Sequence, residues 1–203
     1  YFFNGRIDDL RVYSRELAAE EVAAVMEIGG PVGWWKLDET SGSAALDSSP
    51  YGRSATLGSG IAWTNEGVIN GAIALDGTPN AYGLAVDVPV DSVPGGRNTV
   101  AFWMKWNGVD GMPFSWSGPY DLYFKNGFFG INTGMGDILG IPSADLTGKW
   151  VHVAVVFPNG VPSPGNSKLY IDGVARSLTQ YLGTPVSRSA MPVLFLGRYG
   201  AGN

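Results

Sequence analysis

The chain has 203 residues, no cysteine, and a formal net charge of −5, with 13 Lys and Arg against 18 Asp and Glu. A chain without cysteine has no disulfide framework, thiol nucleophile or thiolate metal site, and scattered cations on an acidic chain exclude the clustered basic face that nucleic-acid binding needs. Only 15% of residues are charged, 30 are glycine and 12% are aromatic, a composition suited to short strands and tight turns within one β domain spanning residues 1–203.

Residues 4–17 open the chain as a strand running into a helix. Ile7, Asp9, Arg11 and Tyr13 alternate with Asp8, Leu10 and Val12, the period-2 pattern of a strand. Asp8 then shares the Leu10/Val12 face, which is expected to be core. From Leu17 the period changes. Ala18, Val22, Val25 and Met26 form one helical stripe, Glu20 and Glu21 favour its N-terminal half, and Gly29-Gly30-Pro31 ends it. One short helix is therefore expected near residues 17–27.

Further strands are expected at 33–39, 55–57, 61–63, 71–77, 84–90 and 98–106. Both faces of the last are apolar, as in a central strand. Asn126-Gly127 between two aromatic-rich runs predicts a two-residue hairpin turn, and Asp172-Gly173 predicts another. Residues 149–157 read as a buried strand and 193–197 as the last one. No apolar run is long enough to span a membrane.

Several of these segments together resemble the laminin G-like, or concanavalin A-like, jelly-roll modules of bacterial extracellular proteins. They are Trp35 to Gly42, Asp47 to Ser49, Gly71 to Gly77, Thr99 to Met104, Trp150 to Ala154 and Leu169 to Gly173. The family's closing segment is similar to Phe3 to Tyr13 with its helix, yet here it comes first. The resemblance implies an all-β fold, an antiparallel two-sheet jelly-roll sandwich. Its order implies a circular permutation or ends cut out of register from a tandem repeat, with residues 1–28 as the family's closing strand and helix. Residues 6–13 are then expected to lie beside the strand near 193–197, in their own or a neighbouring copy.

The resemblance also implies a secreted or cell-surface setting in a bacterium and a structural calcium. A carboxylate on a core face needs a partner or a metal, and the order Asp8 to Tyr13 is similar to the closing strand of jelly-roll glycanases, where the first Asp supports calcium. Asp8 and Asp76 are the expected metal ligands, with main-chain carbonyls near Trp34 and Asp76-Gly77 completing the six to eight oxygens calcium takes.

The aromatics between 103 and 130 suit a glycan platform, because sugar rings stack on flat aromatic faces. Trp116 and Tyr120, then Tyr123, are the expected exposed members, with Asn132 and Asp137 of the Gly-rich loop as further ligand contacts. The simpler alternative is that alternate aromatics fill the core. His152, the only histidine, reads as a core residue. No pair of carboxylates at glycanase spacing is present. The expectation is a non-catalytic carbohydrate-binding or adhesion module of a larger protein, binding a polysaccharide. A structural or protein-binding spacer repeat without glycan affinity, with neighbouring repeats of the same protein as partners, is the alternative.

Overall fold

The computed structural model describes residues 2–19, 22 and 31–199. Its strands run β1 (Asn4–Tyr13), β2 (Gly33–Trp35), β3 (Ala44–Ala45), β4 (Ala55–Leu57), β5 (Ile61–Thr64), β6 (Ala72–Asp76), β7 (Gly83–Ala85), β8 (Arg97–Trp106) and β9 (Gly111–Trp116). They continue as β10 (Tyr120–Lys125), β11 (Phe128–Asn132), β12 (Ile138–Pro142), β13 (Trp150–Pro158), β14 (Lys168–Ile171), β15 (Val174–Ala175), β16 (Thr179–Leu182) and β17 (Leu194–Leu196). Two antiparallel sheets result. One has the order β15-β14-β13-β8-β1-β6-β5, with β2 also paired to β1; the other is β16-β12-β11-β10-β9-β17-β7-β4-β3.

The inner faces meet in one core. Ile7, Leu10 and Val12 of β1, Phe102 and Met104 of β8, and Val153 and Val155 of β13 pack against Phe114, Trp116, Tyr120, Leu122, Phe124 and Phe129 of the opposite sheet. Burying each side chain of this size contributes roughly 1.5–3 kcal/mol, so the sandwich needs no cross-links. Both predicted hairpins form. Asn126 and Gly127 have φ of 51° and 83°, and Asp172 and Gly173 have 53° and 76°, the left-handed pair that two-residue hairpin turns require.

Residues 6–13 do not lie beside the C-terminal strand. β1 is a central strand of the other sheet, paired with β8 along one edge and with β6 and then β2 along the other. A ten-residue strand buried on both faces needs hydrogen-bond partners on both edges, and β17 is already held between β7 and β9. Among the described residues the lead-in to β1 pairs with the C-terminal segment, where Phe2 bridges Arg198 and the Phe3 N–H donates to the Gly197 carbonyl at 2.9 Å. This pairing is made within one chain.

The predicted helix falls largely on residues 20, 21 and 23–30, outside the described residues. Ala19 and Val22 are helical, and the Val22 N–H donates to the Ala18 carbonyl at 2.9 Å. Leu17 and Val22 pack with Tyr13, Ala101, Ala154 and Tyr170 on the outer face of the β1 sheet. Among the described residues no helix is long and apolar enough to cross a membrane.

Candidate functional site

The site grows from an irregularity in β1. Asp8 is registered against Trp103, but Arg11 against Ala101. Three steps on β1 therefore match two on β8, the signature of a β-bulge. Asp9 occupies the bulge with φ of 51°. The extra residue reverses the alternation, so Asp8 does not share a face with Leu10 and Val12 as its spacing suggested. It lies with Trp103 on the side away from the inter-sheet core.

Asp8 is nevertheless fully buried. On that edge of β1, β6 pairs only with Asn4–Ile7 and β2 only with Leu10–Val12, so the bulge faces a gap between two strands. The loop before β6 fills it. Asp8 Oδ2 accepts hydrogen bonds from the Val68 and Ile69 amides at 2.9 and 3.1 Å. Gly67 lies so close that an added Cβ would sit 1.9 Å from the Gly71 carbonyl oxygen, which reserves the position for glycine. Asp38 Oδ1 accepts from the Gly71 amide at 3.0 Å and fixes the far end of the same loop.

Asp8 Oδ1 is buried with no hydrogen-bond partner. Burial foremost pushes this carboxyl up to about 6, against the two loop amides that lower it, while Asp9 and Asp38 add negative charge. An orphaned carboxylate oxygen in a negative setting is the donor type a calcium ion takes. Among the described residues no group of three His, Cys, Asp or Glu can hold a metal, so an ion there would rest on Asp8 and main-chain carbonyls. Asp76 does not join it. Asp76 is exposed, its Oδ1 accepts from the Thr78 amide and hydroxyl at 2.8 and 2.7 Å, and it is registered against Asn4. Four residues of strand, about 13 Å, separate that register from Asp8.

Beside this loop lies an open cleft of about 670 Å³, lined by Asp38, Glu39, Thr40, Trp63, Thr64, Asn65, Asn70 and Gly71. Trp63, on edge strand β5, is half-buried, packs against the core, and donates its indole N–H to the Gly42 carbonyl at 2.9 Å. The cleft thus joins an anchored aromatic surface to hydroxyl, amide and carboxylate groups. Its volume is in the range of small-ligand sites.

The aromatics expected to be exposed are not. Trp116 and Tyr120 have 0% exposure and Tyr123 has 2%. Trp116 and Tyr120 belong to strands rather than to a loop, and the pleat turns them into the inter-sheet core, where Tyr120 also donates its hydroxyl to the Pro158 carbonyl at 2.7 Å. Tyr123 faces the other way, packed with Met112 and Ile138. Asn132 and Asp137 are buried too. Asn132 Nδ2 donates to both oxygens of Asp121, and Asp137 Oδ1 accepts from the Thr133 amide and hydroxyl at 3.0 and 2.9 Å, closing the 133–137 loop. These residues build the sheet and its loop and leave no surface for a ligand.

His152, expected in the core, is half-buried on the outer face of the β1 sheet, edge-on to Trp103 with ring centroids 5.3 Å apart. The cleft was missed because its residues come from three short polar segments. The sequence marked 33–39, 61–63 and 71–77 as separate strands with nothing to join them, and the jelly roll supplies the proximity.

No curated protein matches the chain. Among solved structures, it is similar to the binding domain of Paraclostridial Mosquitocidal Protein 1, with a TM-score of 0.51 and 12% identity over 78% of this chain and 46% of that one. The chain thus spans less than half of that domain's length. A second similarity, with a TM-score of 0.49 and 18% identity, is to domain 4 of AbnA, a GH43 extracellular arabinanase from Geobacillus stearothermophilus solved with arabinotriose; it covers 96% of this chain and 85% of that one. The family described as the Concanavalin A-like lectin/glucanases superfamily matches residues 79–203, from β7 to the end of the second sheet. With its match over more than half of the residues and its two-sheet antiparallel sandwich, the chain belongs to the concanavalin A-like lectin/glucanases superfamily.

Proposed function

We propose that the chain is a non-catalytic carbohydrate-binding module of a larger secreted or cell-surface protein, and that it holds a neutral glycan in the cleft between Asp38–Thr40 and Trp63–Gly71. The observation that carries this reading is the half-exposed Trp63 beside Asn65, Asn70, Thr40 and the two carboxylates. An aromatic face supports a sugar ring, and the surrounding polar groups match its hydroxyls. Superfamily membership supports the same ligand class.

The non-catalytic reading rests on the carboxylates. Glycoside hydrolysis needs two of them facing each other across the scissile bond. Asp38 and Glu39 are chain neighbours, and each already accepts a main-chain amide, from Gly71 at 3.0 Å and from Leu46 at 2.8 Å. They are committed to holding loops.

Affinity electrophoresis through xylan, mixed-linkage β-glucan and starch tests the proposal. Retention by at least one gel is expected, with Trp63→Ala weakening binding at least tenfold. Asn65→Ala, at an exposed position, should weaken it severalfold without lowering the melting temperature. Retention by none of the neutral gels would leave the spacer reading standing.

The same module is proposed to carry a structural calcium on Asp8. Calcium bound only by the native state stabilises by mass action, about 2.7 kcal/mol at a hundredfold excess over Kd. The expected result is a higher melting temperature in calcium than in chelator, and no difference in Asp8→Ala. Equal melting temperatures for the wild-type chain would remove calcium from the description.

A further inference from the structure

The outer face of the β1 sheet carries an unbalanced pair of cations. Arg6 and Lys105 are directly opposed across β1 and β8, and Trp150 is opposed to Lys105 on β13. Like charges in directly opposed positions repel. Among the described residues one carboxylate answers them: Glu66 pairs with Arg6 at 2.7 Å. Lys105 has no hydrogen-bond or ion-pair partner among the described residues, and the Arg6 Nε–H is buried without an acceptor. Buried donors are normally satisfied, so this one marks a place where an acceptor is missing.

A pocket of about 260 Å³ lies at this point, its apolar lining Ala74, Leu75 and Trp106 and its polar lining Asn4, Arg6, Lys105 and Asn107. Asn4 Nδ2 donates to the Asp76 carbonyl at 3.2 Å, and Asn107, whose Oδ1 accepts from the Val109 amide, adds a neutral side-chain donor to the two cations. Trp150 borders Lys105 on the same face, and one row further along β8 stands Trp103, edge-on to His152. Trp103 and Trp150 are both half-exposed. The chain as a whole has a net charge of −5 and repels polyanions, so an attraction at this face has to be local and specific.

We propose that this pocket binds the acid group of an acidic polysaccharide, a uronate carboxylate or a sulfate ester, while adjoining sugar rings rest on Trp150 and Trp103. Lys105 and Arg6 supply charge-assisted hydrogen bonds to the anion. The site is distinct from the Trp63 cleft and does not depend on it.

Affinity electrophoresis through polygalacturonate and through dextran sulfate reads the proposal, with neutral gels run alongside. The wild-type chain should be retained by one polyanion or both, less so as salt rises, and the retaining gel identifies carboxylate or sulfate as the preferred group. Lys105→Gln should weaken that retention at least fivefold and Lys105→Arg should restore most of it. Trp150→Ala is a second variant and should also weaken it. Trp63→Ala should leave it unchanged, so loss of the neutral-glycan site and loss of this one are separately visible. Retention by neither polyanion, or equal retention of wild type, Lys105→Gln and Trp150→Ala, would overturn the proposal.

Discussion

Raising the pH from 5 to 9 is expected to destabilise the fold by on the order of 5 kcal/mol through a single carboxyl group, Asp121. Asp121 lies on β10, fully buried, with both oxygens accepting from Asn132 Nδ2 at 2.9 and 3.0 Å. Burial foremost raises its pKa from 3.8 to about 8; the Asn132 hydrogen bonds oppose this, and the charge of Asp137 adds to it. A carboxyl with a raised folded-state pKa keeps its proton in the native state while the unfolded chain releases it near pH 4. Between about pH 4 and 8 the native state therefore binds more protons. Stability falls as pH rises through that window and levels off above it. Urea midpoints at pH 5, 7 and 9 measure the slope. Asp121→Asn, which mimics the neutral form, should flatten it and be the more stable protein at pH 9. Parallel slopes for the two proteins would show that another group is responsible.

Trp116→Ala is expected to cost about 3–5 kcal/mol, the usual loss when a buried aromatic is cut back to alanine. For a domain of this size that lowers the melting temperature by about 8–15 °C. Trp116 packs edge-on to Phe114 and Phe157, with centroids 4.8 and 6.0 Å away, so truncation removes both ring contacts from the core. Thermal unfolding of the variant beside Trp63→Ala separates the two tryptophans. Trp116→Ala should lose stability and keep its glycan affinity at temperatures where it is folded; Trp63→Ala should do the reverse. A Trp116→Ala protein that melts normally and fails to bind glycan would restore the hairpin aromatics as the ligand platform.

The elements that were legible in the sequence are those whose signal is local. Asn126-Gly127 and Asp172-Gly173 dictate their turns through backbone sterics, whatever surrounds them. Apolar residues on both faces marked residues 98–106 as a central strand and 149–157 as a buried one, and β8 and β13 both lie in the interior of their sheet. Together with the quoted segments, these signals were enough to give the sandwich and its family. One error arose where a single residue changed a face. Period 2 placed Asp8 in the core beside Leu10, and the bulge at Asp9 turned it to the other side. An inserted residue leaves no mark in an apolar/polar pattern this short.

By itself, then, the sequence determined the class of fold and its hairpins, because these follow from backbone preferences and periodicity within a few residues, and it marked the opening stretch as a strand. Tertiary structure alone decided what that stretch does. It is the central strand of one sheet, not the neighbour of β17, because hydrogen-bonding edges are allotted among all strands at once. Tertiary structure also decided which tryptophans meet solvent. Trp116 and Trp63 are the same residue type in short strands of six and four residues, and their places, one in the middle of a sheet and one on its edge, make the first core and the second a candidate surface.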